Sequence, residues 1–453
     1  MRQVAKQDLF ETASIPKAVA TLAIPTIISS LVMVVYNVAD TYFVGLLDDA
    51  VETAGVTLAA PMLLAFNAVN NLFGIGASSA MSRALGQGKS DKARQCSALG
   101  FYCAFLAALL FSLLTFVGQN PLLQLLGANA ETVEETRGYL LWAVTINAAP
   151  AILNVVLAYL VRAEGAAFHA SVGTMLGCLL NIALDPLFIL PWGFAMGAAG
   201  AGVATFISNL IACAYFAVLL YCKRKQTIVS VALKDLSFDR EMMRDILSVG
   251  VPASIQNLLN VTGMTVYNNF ASAYGSNVVA AMGIVQKIQL LPIQITMGAS
   301  QGVMPFIGYN YAAKQLQRMR EATLFLLKCM VPFLLVVAAF CSVFAAPLVG
   351  LFMKDPEVIF YGRQFMWGFA LALPFLCFDY TTVAVFQAIG AGRKSLHFAF
   401  LRKIVLEIPA IIALNFLIPV YGIAYASLTA EIVMTILAFK ALKDTLTERW
   451  NTI

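Results

Sequence analysis

The sequence predicts an all-α integral membrane protein with twelve transmembrane helices in two pseudo-symmetric six-helix lobes. Its 453 residues are 60% hydrophobic and 12% charged, whereas soluble domains average about 45–50% apolar and about 25% charged residues. Apolar runs near the roughly 20 residues that cross a bilayer as a helix recur along the chain. The second half of the sequence also repeats the first. The short alternating segments of a membrane β-barrel are not visible.

Four segments of the first half recur in the second half, in the same order. They pair GASSAMSRALGQG from Gly76 with GASQGVMPFIGYN from Gly298, PLLQLLGANAETV from Pro121 with PLVGLFMKDPEVI from Pro347, VRAEGAA from Val161 with FQAIGAG from Phe386, and GAGVATFIS from Gly200 with GIAYASLTA from Gly422. Each copy lies about 222 to 227 residues after its partner. Internal duplication of this kind is typical of secondary transporters, whose substrate path runs between the repeats.

The twelve spans are predicted at 16–47, 54–76, 95–117, 138–160, 167–190, 197–221, 246–272, 279–304, 320–345, 363–388, 397–418 and 421–443. We therefore divide the chain into an N-lobe (1–222), a linker (223–245) and a C-lobe (246–453). Roughly 22 of the 29 Lys and Arg residues fall at the chain ends and in loops after even-numbered spans. Because basic loops stay in the cytoplasm, both termini are predicted to be cytoplasmic. The first span is too long for a cleaved signal peptide.

Two acids of the first half lie inside predicted spans, where ionisable groups are expensive and usually functional. At 1.5 Å per helical residue, Asp40, Asp185 and Thr205 all fall roughly 10 Å inside the external surface. Asn181 shares a helix face with Asp185, since the two are four residues apart. We predict that these four side chains form one polar chamber.

The chamber allows two chemistries. Burial away from water favours the neutral form of a carboxyl group, so the acids could exchange protons. Two carboxylates, an amide and a hydroxyl equally suit a hard cation such as Na⁺. The alternative for each acid is a structural hydrogen bond between helices, and Thr205 could instead bond its own helix. Pro25 and Pro186 lie on the same helices as the acids and could let these helices bend.

The acids of the second half are predicted nearer the midplane. Inward-facing carboxylates of Asp379, Glu407 and Glu431 would attract a cationic ligand, with Gln256 and Asn260 at similar depth. Lys287 could form an ion pair with one of these acids, or its side chain could extend along the helix toward the membrane interface. Glu407 could instead pair with Arg402 or Lys403. We therefore predict a substrate cavity lined by these six residues: Gln256, Asn260, Lys287, Asp379, Glu407 and Glu431.

Several motifs resemble those of the multidrug and toxic compound extrusion (MATE) family. The stretch from Pro25 through Tyr36-Asn37-Val38-Ala39-Asp40-Thr41 to Gly45 is similar to the first span of its MepA-like bacterial branch. Further matches are Arg162-Ala163-Glu164-Gly165, Asn181 with Asp185-Pro186, Ala204-Thr205, and Gln387-Ala388-Ile389-Gly390.

The resemblance implies two six-helix lobes around a V-shaped cavity and export of drugs in exchange for H⁺ or Na⁺. It places the family's cation site at Asp40, Asn181, Asp185 and Thr205, with Asn154 nearby. Asp379 is similar in place to an acid of the NorM-type branch. That branch carries a second acid on the seventh span, where this chain has Gln256 and Asn260.

We therefore expect an antiporter of amphipathic, often cationic compounds in the bacterial plasma (inner) membrane. It would act as a monomer in the lipid bilayer, without cofactor, structural metal or nucleic-acid partner; H⁺ or Na⁺ would be its coupling ion. No nucleophile, base and metal set recurs at helical spacing, so we do not expect an enzyme. The alternatives are a lipid-linked oligosaccharide flippase, which would need a basic cavity to hold pyrophosphate, and an uncoupled channel or receptor.

Overall fold

The computed structural model of the chain describes residues 8–47 and 49–446. The two chain ends, which the orientation prediction places in the cytoplasm, fall outside these residues, as does Asp48. All regular elements in the described ranges are helices, and no strand occurs there. The all-α prediction is confirmed.

Twelve helices, named α1 to α12, coincide with the predicted spans. The N-lobe holds α1 (Ile15–Gly45), α2 (Val51–Gly86), α3 (Ser90–Val117), α4 (Val133–Ile146 with Ala148–Ala163), α5 (Ala167–Ile189) and α6 (Gly197–Cys222). The C-lobe holds α7 (Arg240–Ser272), α8 (Ser276–Ala312), α9 (Leu316–Val343), α10 (Pro356–Ala388), α11 (Gly392–Phe400, Leu401–Glu407 and Ile408–Leu417) and α12 (Gly422–Leu446). Short helices follow α3 (Gln119–Leu125) and α9 (Ala345–Gly350), and one turn lies in the linker (Leu233–Asp235).

Not all twelve helices are apolar enough to qualify as spans by composition. Within the described ranges nine pass a test of length and hydropathy, and ten pass when the two parts of α4, bent by 44°, count as one. The two that remain are α7 and α11. α7 carries amides such as Asn257 in its interior. α11 is divided into segments of 9, 7 and 10 residues, and its middle segment carries Arg402 and Lys403.

The lobes meet through glycines of the two matching Gly-Ala-Ser segments. A Cβ on Gly76 of α2 would lie 2.5 Å from the Ile246 carbonyl oxygen of α7. A Cβ on Gly302 of α8 would lie 2.8 Å from the Leu22 carbonyl oxygen of α1. Small residues let membrane helices approach to backbone contact. Both contacts lie toward the end of the bundle that carries residues 223–239, which we call the linker end.

Polar contacts join the lobes at the same end. The Ser79 hydroxyl of α2 donates to the Gln387 carbonyl of α10, and Arg83 Nη2 lies 3.6 Å from Asp245 Oδ2. The lobes are therefore closed against each other toward the linker end.

Three helices contain π-helical turns, at Asn71–Ile75 in α2, Leu140–Ile146 in α4 and Leu401–Glu407 in α11. A π turn accommodates one extra residue and often marks a functional site. In α11 this turn carries Arg402, Lys403 and Glu407, and all three are buried.

Large apolar side chains cover much of the outer surface. Val117 is 74% exposed, Leu125 84% and Phe416 86%. Soluble monomers rarely expose extensive apolar surface, so this periphery suits contact with lipid. The polar side chains described next lie inside.

Candidate ion and substrate sites

The four predicted chamber residues of the N-lobe come together between α1, α5 and α6. Asp185 is fully buried, and Asn181 precedes it by one turn. The hydrogen-bonding surroundings orient the Asn181 amide so that its nitrogen donates to Asp185 Oδ2 at 2.9 Å, and its oxygen lies 3.2 Å from the Thr205 hydroxyl. Asp40 lies within electrostatic range of Asp185. We call these four residues the N-lobe acid cluster.

The N-lobe acid cluster has no fixed positive partner. In the described part of the chain, no Lys, Arg or His nitrogen forms an ion pair with Asp40 or Asp185. Tyr36 and Tyr139 lie within electrostatic range of both acids, and the sequence analysis did not predict either tyrosine there. An isolated buried carboxylate is costly, so this arrangement favours a bound proton or metal cation.

Thr205 has two acceptors within reach. Its hydroxyl donates to the Ala201 carbonyl of its own helix at 2.8 Å, besides lying next to the Asn181 amide. Thr205 therefore makes both the predicted contact with Asn181 and the alternative hydrogen bond within its own helix.

Asn154, which the resemblance places near the cation site, forms its hydrogen bonds with groups other than the acids. Its side-chain nitrogen donates to Asn209 Oδ1 at 2.8 Å, and Asn209 donates to Asn147 Oδ1 at 3.1 Å. These three amides form a separate chain that begins one turn from Thr205, because Asn209 follows Thr205 by four residues on α6. The four-residue spacing from Thr205 is the feature of the sequence that could have predicted Asn209 as a neighbour of the cluster.

The three C-lobe acids form buried ion pairs. Arg402 Nε donates to Glu431 Oε1 at 2.6 Å, and Arg402 Nη1 donates to Asp379 Oδ2 at 3.1 Å. Lys403 Nζ donates to Glu407 Oε1 at 2.8 Å. These five residues, the C-lobe ion network, join α10, α11 and α12.

This network corrects the predicted lining of the substrate cavity. Asp379, Glu407 and Glu431 are at most 2% exposed and lie inside the C-lobe. Lys287 is an exposed residue outside the described cavity lining, two turns before Gln294 on the same face of α8. The physical reason is that buried carboxylates require partners. Arg402 and Lys403 supply them from the π turn of α11, so the alternative pairing of Glu407 is the one found.

A cavity of about 310 Å³ lies between the lobes. It is lined by α1, α2 and α4 of the N-lobe and by α7, α8 and α10 of the C-lobe. Nine of its twenty described lining residues are Asn or Gln, Gln256 and Asn260 among them, and none of the twenty is an acid or a base. The Gln387 amide nitrogen donates to Gln256 Oε1 at 3.2 Å across this wall.

Two tyrosines that line the cavity each pack against a buried arginine. Tyr159 lines the N-lobe side, with the Arg162 guanidinium 5.5 Å from its ring centroid. Tyr380 lines the C-lobe side, with the Arg402 guanidinium 5.4 Å from its ring centroid. The positive groups behind both walls are thus separated from the cavity by aromatic rings.

Pro25 and Pro186 lie inside α1 and α5, which remain helical on both sides of each proline. Both prolines share a helix with an acid of the N-lobe cluster. Bending of these helices stays a prediction.

Comparison with known proteins identifies the family. The MatE family model matches residues 25–187 and 252–439. The chain is 30% identical to the multidrug export protein MepA of Staphylococcus saprophyticus, over 97% of this chain and 96% of that protein. It is 30% identical to MepA of Staphylococcus aureus, over 93% of this chain and 92% of that protein.

Solved structures agree with the sequence relatives. A MATE protein in complex with MaL6 superposes with a TM-score of 0.91 at 27% identity, over 97% of this chain and 98% of that one. An outward-facing multidrug resistance MATE family transporter of the MOP superfamily gives a TM-score of 0.91 at 27% identity, over 97% of each chain. The prediction of a MATE-like fold is confirmed, and the chain belongs to the MatE family.

Proposed function

We propose that this protein exports amphipathic small molecules from the cytoplasm of a bacterium in exchange for H⁺ or Na⁺. The observation that carries the proposal is the N-lobe acid cluster, where buried Asp185 and nearby Asp40 have no basic partner within the described residues. The names of the MepA relatives, multidrug export proteins, support export as the activity. The lipid bilayer and small molecules are then its partners, and we expect it to act as a monomer.

In this proposal, binding of the coupling ion changes how the two lobes are arranged relative to each other. A proton or Na⁺ from outside binds at Asp40 and Asp185 and favours the state in which the lobes are closed toward the linker end. Drug binding from the cytoplasm favours the competing state. Exchange requires only that each ligand binds the two states with different affinity. A membrane potential of 100 mV adds about 2.3 kcal/mol for each elementary charge that crosses.

The C-lobe ion network is a less suitable coupling site. Each of its acids already has an Arg or Lys partner within 3.1 Å. A coupling ion would have to compete with these fixed groups, whereas at Asp185 it meets an acid that lacks one.

The proposal is tested by drug export from proteoliposomes under separate pH and Na⁺ gradients. We expect Asp185→Asn and Asp40→Asn each to reduce gradient-driven export by tenfold or more, because the amide cannot exchange a cation. Asp91→Asn is the matched control, since Asp91 is an exposed acid at the start of α3. Thermal unfolding of all variants in detergent excludes loss through misfolding. Full gradient-driven export by both cluster variants would overturn the proposal.

Two observations distinguish an antiporter from a flippase and from a channel. A lipid-linked oligosaccharide flippase needs basic groups for pyrophosphate, and the described lining of the cavity has none. A channel would give no substrate-for-ion exchange, so counterflow in the same proteoliposomes distinguishes it from an antiporter.

A further inference from the structure

The cavity between the lobes has an unusual chemical lining for a site expected to hold organic cations. We propose that it binds uncharged, planar molecules that carry several hydrogen-bonding groups, in preference to organic cations. The inference deepens the proposed export function and rests on the same cavity being the substrate site.

Six of the nine amides that line the described cavity have no side-chain hydrogen bond. Within the part of the chain that the structure describes, the following cavity amides make no side-chain hydrogen bond: Asn67, Asn70, Asn71, Asn257, Asn260 and Gln294. Each amide offers two donor hydrogens and one acceptor oxygen. The wall can therefore satisfy a ligand that presents donors and acceptors together, such as a lactam or a heterocyclic amide.

Asn70 gives the clearest sign of a missing partner. Its side chain is only 5% exposed, and its Oδ1 is enclosed without a hydrogen-bond partner in the described structure. Leaving a buried acceptor unpaired is costly, and few such groups survive in native structures without a reason. A ligand donor in the cavity would supply the bond.

The electrostatics of the walls disfavour a cation. The described lining contains no carboxylate, and the acids nearest to it in the C-lobe are already paired with Arg402. The positive groups behind Tyr159 and Tyr380 are guanidiniums at 5.5 and 5.4 Å from the rings. An organic cation entering here would lose its hydration without gaining a counter-charge.

The shape also permits such a ligand. A volume of about 310 Å³ lies at the lower end of the range for small-molecule sites. That volume is large enough for a compound of three fused rings, and amides of both α2 and α7 are among the lining residues.

The test is equilibrium binding to the purified full-length protein in detergent, without any ion gradient. The probes are three tricyclic fluorophores of similar size: acridone, which is uncharged, proflavine, which is cationic, and an acridone carboxylate, which is anionic. We expect acridone to bind at least about tenfold more tightly than either charged probe. Since no gradient is present, the result is independent of whether Asp40 and Asp185 couple ions.

Two variants test the site itself. Asn70→Leu is expected to weaken acridone binding about tenfold, the effect of removing one buried hydrogen bond. Asn260→Asp is expected to reverse the preference toward proflavine by placing a carboxylate in the wall. Asn269→Asp, at an exposed position of the same helix, is the matched control and should leave the preference as it is.

Four results would overturn the inference. They are tighter binding of proflavine or of the acridone carboxylate to the unaltered protein, failure of all three probes to bind, Asn70→Leu leaving acridone affinity intact, or an unchanged probe preference in Asn260→Asp.

Discussion

At the scale of residues, the two lobes use their buried acids in opposite ways. Asp185 of the N-lobe has an amide and an acid as neighbours, whereas Glu407 of the C-lobe has Lys403 at 2.8 Å. Tyr267, which the alignment of the two halves sets opposite Asp40, lies beside Glu407. The C-lobe thus has a phenol where the N-lobe has an acid, and it adds bases. The same architecture supports a cation-accepting site in one lobe and an internally paired network in the other.

Arg402 is expected to be essential for the stability of the C-lobe. Arg402→Met leaves Asp379 and Glu431 buried without their shared partner, and breaking a buried pair from one side costs about 3–5 kcal/mol. We expect a clearly lower thermal unfolding midpoint in detergent. Arg393→Met at an exposed position of the same helix should change the free energy of unfolding by no more than about 0.5 kcal/mol. Equal midpoints for the two variants would show that the network does not stabilise the lobe.

The sequence predicted the N-lobe acid cluster better than the C-lobe network. Depth along a regular helix follows from residue counting, which grouped Asp40, Asp185 and Thr205 correctly. Depth alone did not identify the partners of the C-lobe acids. Arg402 and Lys403 contact these acids from the π turn of α11, which residue counting along a regular helix does not predict.

At the scale of elements, backbone contact between helices fixes how closely the lobes approach. Gly302 of α8 packs on the backbone of α1, and Gly76 of α2 packs on the backbone of α7. Gly298, the position that matches Gly76 in the repeated segment, also packs on α1, where its Cβ would lie 3.0 Å from Ile27 Cα. The lobe interface is therefore built from two pairs of helices, α2 with α7 and α8 with α1, and each pair approaches to backbone contact at a glycine.

We expect Gly302→Ala to weaken lobe closure. Its Cβ would lie 2.8 Å from the Leu22 carbonyl and 2.9 Å from Ala23 Cα, so α1 or α8 must shift, at a typical overpacking cost of about 1–3 kcal/mol. Gly283→Ala is the control on the same helix, since no atom lies within 4 Å of its added Cβ.

The measurement is the rate of thiol labelling at a single cysteine placed at Ser79, in a background without the native cysteines. Ser79 is buried at the lobe contact, so labelling reports opening. Faster labelling in Gly302→Ala than in Gly283→Ala is the expected result. Identical rates would mean that this glycine does not control closure.

At the scale of the whole molecule, the two lobes enclose one cavity to which each contributes three helices. Duplication in the sequence was enough to predict two six-helix lobes. Apart from Gln256 and Asn260, the lining could not be predicted, because it depends on which helix faces meet when the lobes pack. From the sequence alone, Asn67, Asn70 and Asn71 are three amides in an apolar span. Their role as cavity lining is visible only once the positions of α7 and α8 opposite them are known.

A disulfide across the lobes should stop transport. A Cβ on Gly308 of α8 would lie 3.4 Å from the Ser82 Cβ of α2, near the 3.5–4.5 Å that disulfides require. In a background without native cysteines, oxidised Ser82→Cys with Gly308→Cys is expected to lose at least about 90% of export.

Reduction should restore export to the level of the Gly308→Cys single variant, which is itself lowered because its Cβ would lie 2.9 Å from the Ala388 carbonyl oxygen. Neither single variant should respond to oxidation. If the bond forms, as shown by mass spectrometry, and export continues, then closure toward the linker end is not part of the cycle.

The π turn of α11 has a consequence for how this chain tolerates change. Each residue of an α-helix rotates the chain by about 100°, so an extra residue in one turn resets the direction of everything beyond it. Val405 is 47% exposed, so another apolar residue could replace it without disturbing the packing of the lobe. Its deletion would instead turn Glu407 away from Lys403 and re-aim the whole of Ile408–Leu417. Residues 401–407 should therefore accept substitutions on their outer face but no insertion or deletion, which makes the length of this segment a stricter requirement than its composition.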